Sequence, residues 1–585
     1  MLVNKALVYA PPNNGREPVL IHSSQQLLDC SFVQLTEQQY SRAREFVQLW
    51  QQTHVSRYNR WHQMPELPAR YILVVLQEAL SEQLQQTMLL AALTQAERLN
   101  VSTIVLCHDQ HHVLSLSPAI CQLIDASKHL QWVTDTERWH HAFVIANSDA
   151  VLCANSWLGF EALLWQKNVY NFLPSFYSAL TQSSDLQQQQ LASPKADKPC
   201  LEQWAWQIFC QSALRHNFSL SSPQTDQDIH AALTWLQLQR FTRQRFAERI
   251  YAIGFNYHWR NILKTFLQGS SLQFVKTPQQ VPSNSQAVIW GRRDISKELD
   301  PSVRLLRLED GFLRSVGLGI QFSRPLSWVA DQQGLYFDAT TPSDLETLLN
   351  EHPLGIELQQ QAEILIEQLV SQGISKYNTG QLQWQRPETP KKVILVTGQV
   401  ESDASIRYGA QHIKTNIGLL QAVRALNPDA YLIYKPHPDV VAGARASGAG
   451  ELDAINFCDS VLKDENITSV IPHVDEVHVL TSLSGFEALL RGKTVHCHGL
   501  PFYAGWGLTT DHCKSERRQR QLVLPQLVAA TLMLYPLYIC RYSGYYCTAE
   551  QTLTQLMEWR TQGTNWQQKT GVLLRSMINR IIGAK

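Results

Sequence analysis

The chain repeats itself. SWLGFEALLWQKNV begins at Ser156 and SLSGFEALLRGKTV begins at Ser482, and both contain the run GFEALL. Upstream of each run lies an apolar, strand-like segment, YILVVLQ from Tyr71 and VILVTGQ from Val393. Each copy then carries a helix-like stretch (TMLLAALTQAERLN; IGLLQAVRALN) and a second strand with a histidine (TIVLCHD; LIYKPHPD). Strand, helix, strand, then a Ser/Gly turn opening a helix is the order of a parallel α/β unit. Two copies so far apart imply a duplicated unit, because the spacing is too long for a solenoid. The expected fold class is therefore α/β.

The copies differ where chemistry would lie. Copy two has Lys435 and His437; spacing sets Leu106 against the lysine in copy one and keeps His108. Copy two ends in GLPFYAGWGLTTD, whereas copy one ends in FLPSFYSALTQ and lacks those glycines. Copy one reads as a retained fold with an eroded site. Between the copies, AVIWGRR (287–293), VRLLRLEDGF (303–312) and PLSWVADQQGLYFDAT (325–340) supply further strand-like runs. The polar, Gln-rich stretch 183–199 reads as a linker. The expected division is a degenerate α/β domain over 1–182, a linker and helical connection over 183–240, two α/β domains over 241–385 and 386–545, and C-terminal helices over 546–585.

Composition narrows the function. Lys+Arg and Asp+Glu are 50 each in 585 residues, so there is no basic surplus and no nucleic-acid partner is expected. The N-terminus lacks a long apolar region, so no signal peptide is expected. The most apolar late stretch, LVAATLMLYPLYIC (527–540), is shorter than a membrane span and contains Pro536. It reads as a buried helix ending before that proline. Eleven cysteines without a CxxC pair fit reduced thiols in a cytoplasmic protein. His496 and His498 fall on one face of a strand, but two histidines read first as a structural pair, and no metal is expected.

Five groups of residues carry possible chemistry. In TSLSGFEALL, Ser482, Ser484 and Gly485 precede a helix with Glu487 in its first turn, a natural anion seat or else a plain N-cap. In YKPHPD, Lys435 and His437 are two apart at a strand end and face the same side. Beside a helix N-terminus they form a phosphate clamp that needs no metal. In LRLEDGFLRS, the adjacent Glu309 and Asp310 read as a nucleophile or base, or as a turn paired with Arg292, Arg307 or Arg314. In GQVESDAS, Gln399, Glu401, Asp403 and Ser405 read as donor or acceptor contacts or as a solvated loop. The loop PFYAGWGLTTD, with Phe502, Tyr503, Gly505, Trp506 and Gly507, reads equally as a stacking surface or an interface plug.

Taken in order, RLEDGFLRSVGLG, PLSWVADQQGLYFDATTPSDLE, QVESDAS, YKPHPDVVAG, TSLSGFEALLRGK and PFYAGWGLT resemble the KpsC/LipA-type capsule polysaccharide β-Kdo transferases over about residues 245–560. Kdo is 3-deoxy-D-manno-oct-2-ulosonic acid. The resemblance implies a GT-B architecture, two Rossmann-like halves facing a cleft, with donor contacts from the C-terminal half. It implies CMP-β-Kdo as donor, a glycan or glycolipid acceptor, retention of the β configuration and no cofactor. It assigns Asp310 as the carboxylate that attacks C2 and Glu309 as base or acceptor guide. Lys435, His437, Ser482 and Gly485 would hold the CMP phosphate. Gln399, Arg314, Ser315, Ser484, Glu487, Tyr503, Gly505 and Trp506 complete the expected binding set. Family members usually carry two complete modules. This chain has one EDGF motif, so one active site is expected, in a cytoplasmic protein. The tail GVLLRSMINRIIGAK, with apolar residues near helical spacing, reads as a surface for the inner membrane or as a helix packed on the core.

Overall fold

The computed structural model describes residues 7–9, 19–21, 34–56, 66–77, 79–108, 116–127, 130–134, 139–182, 200–210, 229–315, 324–373, 384–441, 443, 445–448 and 450–561. The linker read at 183–199 and the tail beyond 561 lie outside the described residues. Two compact units emerge, Met1–Glu248 and Arg249–Lys585.

The first unit holds a small antiparallel pair, β1 (Leu7–Tyr9) and β2 (Val19–Ile21), and a five-stranded parallel sheet. The sheet comprises β3 (Ile72–Leu76), β4 (Thr103–His108), β5 (Gln131–Thr134), β6 (Ala150–Cys153) and β7 (Asn168–Asn171), in the order β5-β4-β3-β6-β7. β3 is buried along its whole length, which is why ILVVL reads as an unbroken apolar run instead of an alternating one.

In the second unit, the N-terminal half begins with β8 (Arg249–Ile253), β9 (Ser271–Val275), β10 (Gln286–Trp290) and β11 (Arg304–Asp310), mutually parallel, with β12 (Ser327–Asp331) antiparallel to β11. The C-terminal half contains β13 (Val393–Thr397), β14 (Tyr431–Lys435), β15 (Ser460–Val461), β16 (Glu476–Val479), β17 (Thr494–Cys497) and β18 (Thr510–Asp511). These form one parallel sheet in the order β15-β14-β13-β16-β17-β18. Apart from the added edge strand β18, this is the order of copy one. The two halves face a shared cleft, the GT-B arrangement.

The chain does not stay in the C-terminal half to residue 545, as the sequence division had it. β19 (Pro536–Tyr538) returns to the N-terminal half and pairs antiparallel with β12. The helical stretch before it, Leu524–Val528 continuing as a π-helix over Ala529–Leu534, ends ahead of Pro536 as expected. Proline lacks the N–H a helix interior needs but is tolerated at the start of an edge strand. No helix among the described residues is long and apolar enough to cross a membrane.

Candidate active site

A cleft of about 670 Å³ opens between the two halves of the second unit. Its floor is set by strand ends. In a parallel sheet every strand points its C-terminal end to the same edge, and loops from that edge build the site. Thr397 ends β13, Lys435 ends β14, and Lys463–Glu465 follow β15; all line the cleft. The facing wall brings Glu309 and Asp310 from the end of β11, with Tyr336 and Phe337. The acidic pair and the Lys–His pair therefore share one crevice.

Asp310 sits at the strand-to-loop corner because Gly311 follows it. A Cβ at Gly311 would lie 1.9 Å from Ser327 Oγ, and its N–H donates to Ser327 O at 3.0 Å. Only glycine fits that approach. Arg314, not Arg292 or Arg307, pairs with Asp310, its Nε 2.7 Å from Oδ2. The other carboxylate oxygen, Oδ1, is buried without a hydrogen-bond partner among the described residues. A buried carboxylate oxygen left unpaired is costly, and such atoms concentrate where chemistry is done. Arg292 instead pairs with Asp338 and lies over the Tyr408 ring, 3.9 Å from its centroid. Arg307 donates to Arg293 O at 2.7 Å.

On the opposite side, Lys435 is only 6% exposed. Burial pushes its ammonium pKa below the ordinary lysine range, while Glu465 and Asp464 nearby pull it back up. The Asp439 N–H donates to His437 Nδ1 at 3.2 Å. A neutral His437 ring with that bond carries its proton on Nε2, as a donor. Ser482 caps the helix Leu483–Leu490, its Oγ accepting from Ser484 N at 3.2 Å. Both serines and Glu487 line the cleft. Two cation-bearing or N–H-donating side chains thus stand beside a helix N-terminus, a setting suited to a phosphate.

Several expected contacts lie elsewhere. Arg314 and Ser315 are buried, and Arg314 Nη1 donates to Ser315 Oγ at 3.1 Å behind Asp310. Gln399 lines the cleft, but its side chain is spent as a brace. Its Nε2 donates to Thr481 Oγ1 at 3.0 Å and its Oε1 accepts from Thr481 N at 2.8 Å. Glu401 similarly accepts from Asn416 N at 2.7 Å. Asp403 and Ser405 do line the cleft, and Asp403 also meets Arg445 at 3.1 Å.

The aromatic loop is a plug, not a stacking surface. Tyr503 and Trp506 are fully buried, and neither they nor Gly505 line the cleft; Pro501 and Phe502 do. Trp506 Nε1 donates to Phe502 O at 2.8 Å. Gly505 and Gly507 have φ of 85° and 81°, the left-handed region that glycine enters without strain. Arg518 clasps the loop by donating to Ala504 O at 2.7 Å and reaches Glu346 of the other half at 3.2 Å. Phe502 and Phe312 close the seam, 5.0 Å between ring centroids. Gly485 belongs to this interior too. A Cβ there would lie 2.2 Å from Tyr503 Oη, and Tyr503 donates that hydroxyl to Ser482 O. Tyr336, Phe337 and Lys463–Glu465 were missed as site residues. The one available signal was their position just after the carboxyl ends of β12 and β15.

A family model for capsule polysaccharide biosynthesis proteins matches residues 288–538. The LipA capsule polysaccharide modification protein of Neisseria meningitidis serogroup A is 39% identical over 415 residues, 68% of this chain and 58% of that protein. LpsZ, a lipopolysaccharide-processing protein of Rhizobium meliloti, is 40% identical over 302 residues, 50% of this chain and 66% of that protein. Among solved structures, Thermosulfurimonas dismutans KpsC, a beta Kdo 2,7 transferase, is 40% identical with a TM-score of 0.46, covering 54% of this chain and all of that one. The chain thus spans a little over half the length of the LipA relatives it matches. With the acidic corner, the Lys–His strand end and the glycine-rich plug all inside the matched stretch, the chain belongs to the KpsC/LipA-type capsule polysaccharide family.

Proposed function

We propose that this chain is a retaining glycosyltransferase that moves β-Kdo from CMP-β-Kdo onto a surface glycan or a lipid-linked glycan. The observation that carries the reading is the shared crevice: Glu309 and Asp310 on one wall, Lys435 and His437 on the other. Such a cleft is the right shape for a donor with one phosphate at one end and a reacting anomeric carbon at the other. The KpsC relative, a beta Kdo 2,7 transferase, gives the sugar class to test first.

The chemistry runs in two displacements. The bond from C2 to the phosphate oxygen breaks, its electron pair leaving with CMP. Lys435, the His437 Nε2–H and the helix N-terminus at Ser482 neutralise the departing phosphate. The Asp310 carboxylate traps the cationic C2 on the opposite face, while Arg314 fixes its Oδ2 in place. An acceptor hydroxyl then displaces Asp310, its proton passing to Glu309, and the two inversions give net retention. The CMP phosphate requires no metal for this neutralisation.

The test is transfer from a donor panel of CMP-Kdo, CMP-sialate and UDP-sugars, with Asp310→Ala alongside. Transfer from CMP-Kdo alone is expected, reduced about a thousandfold or more in the variant while its melting temperature holds. Full activity in Asp310→Ala, or transfer from UDP-sugars instead, overturns the reading.

A further inference from the structure

A second cluster of ligating side chains stands apart from the cleft. Strands β16 and β17 run parallel in a register that sets His478 beside His496. Glu476 lies two residues before His478, so all three side chains project from one face of the sheet. The imidazole rings stack, 4.2 Å between centroids and 4° between planes. Their Nε2 atoms converge on one carboxylate oxygen, Glu476 Oε2, at 3.4 Å for His478 and 3.7 Å for His496. The three ligand atoms lie within 4.8 Å of one another.

We propose that Glu476, His478 and His496 form a binding site for one Zn²⁺-class divalent ion, separate from the transfer cleft. None of the three lines that cleft. A tetrahedral ion with bonds of about 2.0–2.1 Å keeps its ligand atoms about 3.4 Å apart, close to the two Glu–His separations. Two imidazoles and a carboxylate with a fourth position for water is a ligand set that Zn²⁺ and Co²⁺ accept.

The surroundings support each ligand. His478 Nδ1 lies 3.2 Å from His498 Nε2, which leaves Nε2 of His478 to face the ion. Lys392 Nζ holds the other oxygen of Glu476, Oε1, at 2.5 Å, so Oε2 remains toward the imidazoles. Nδ1 of His496 is buried with no hydrogen-bond partner among the described residues, so no competing bond turns that ring away. Glu476 and His496 are half-buried, which leaves an approach for the ion. An ion here would clip β16 to β17 just before the chain enters the cleft at Thr481 and Ser482.

The experiment is titration of tag-free, chelator-stripped full-length chain with Co²⁺, read by its visible d–d absorption, and competition with Zn²⁺. One equivalent is expected to give a saturating band that Zn²⁺ bleaches, with a higher melting temperature for the loaded protein. Glu476→Gln and His496→Ala are each expected to weaken binding at least tenfold, with circular dichroism unchanged. His496 is partly exposed, so its substitution keeps the proposal testable if Glu476→Gln misfolds. No saturable band in the wild-type chain, or an unchanged band in His496→Ala, means a hydrogen-bonded cluster only and overturns the site.

Discussion

Copy one and copy two share a scaffold and differ in what the scaffold carries. The same sheet order recurs, and so does a specific internal brace. In copy one Tyr177 donates to Ser156 O at 2.6 Å, and a Cβ on Gly159 would lie 2.5 Å from that hydroxyl. In copy two Tyr503 donates to Ser482 O across the same gap of 21 residues, with Gly485 against its hydroxyl. The repeated GFEALL run is therefore a packing motif first. Its glycine admits the tyrosine that locks the turn onto the helix. A run that survives in a copy without the lysine and the glycine-rich plug cannot by itself mark the donor site.

What differs is the end of the second strand. The ladder pairs Ile72 with Ile104 in copy one and Ile394 with Leu432 in copy two. Counting forward, Cys107, not Leu106, takes the place of Lys435, and His108 takes the place of Pro436. Burial agrees: Leu106 and Tyr434 each join the core on the helix-covered side of their sheet. The spacing read from sequence was off by one because flanking apolar residues align equally well in either register. Copy one thus has a buried thiol where copy two holds its cation. Its glutamate is also occupied, Ser56 donating to Glu161 at 2.7 Å. The equivalent Glu487 lines the cleft.

Writing copy one's residue into copy two breaks the comparison most sharply. Lys435→Cys should cost about a hundredfold in kcat/KM for the CMP donor, with the fold intact. Steady-state kinetics and a thermal melt check it together. The next effect is structural and should be symmetrical. Gly159→Ala and Gly485→Ala each press a methyl group into a buried tyrosine hydroxyl and should destabilise by about 1–3 kcal/mol. Denaturant unfolding measures both, and a large cost at only one site would show that the brace is not shared. Smaller again, Tyr177→Phe and Tyr503→Phe each remove one hydrogen bond, worth about 1 kcal/mol. Only the second should also disturb donor KM, because Ser482 borders the cleft. The smallest effect is a pH dependence. Burial lowers the Lys435 pKa, so as pH rises its charge is lost earlier than that of an exposed lysine. Donor KM should rise with pH, and Lys435→Arg should move that rise upward.

Much of this was legible in the sequence because it was local. The acidic pair at a strand end and the Lys–His strand end follow from patterns within a dozen residues, and the repeat and the parallel α/β order follow from setting such short patterns side by side along the chain. The failures are long-range. Nothing local reveals that β19 crosses back to pair with β12, roughly two hundred residues earlier. Nothing in GQVESDAS says that Gln399 is held by Thr481, 82 residues on. In the plug, aromatics and glycines suit a base-stacking loop and a buried seam equally. The deciding partners, Arg518 and Glu346, stand in separate parts of the chain.

The central claim is that one nucleotide site exists per chain and that it is built on Lys435 and His437. Calorimetric titration of CMP into the full chain tests it directly. One site per chain is expected, weakened at least tenfold in Lys435→Cys and untouched in Cys107→Ser. Two sites in the wild-type chain, or unchanged binding in Lys435→Cys, would contradict it.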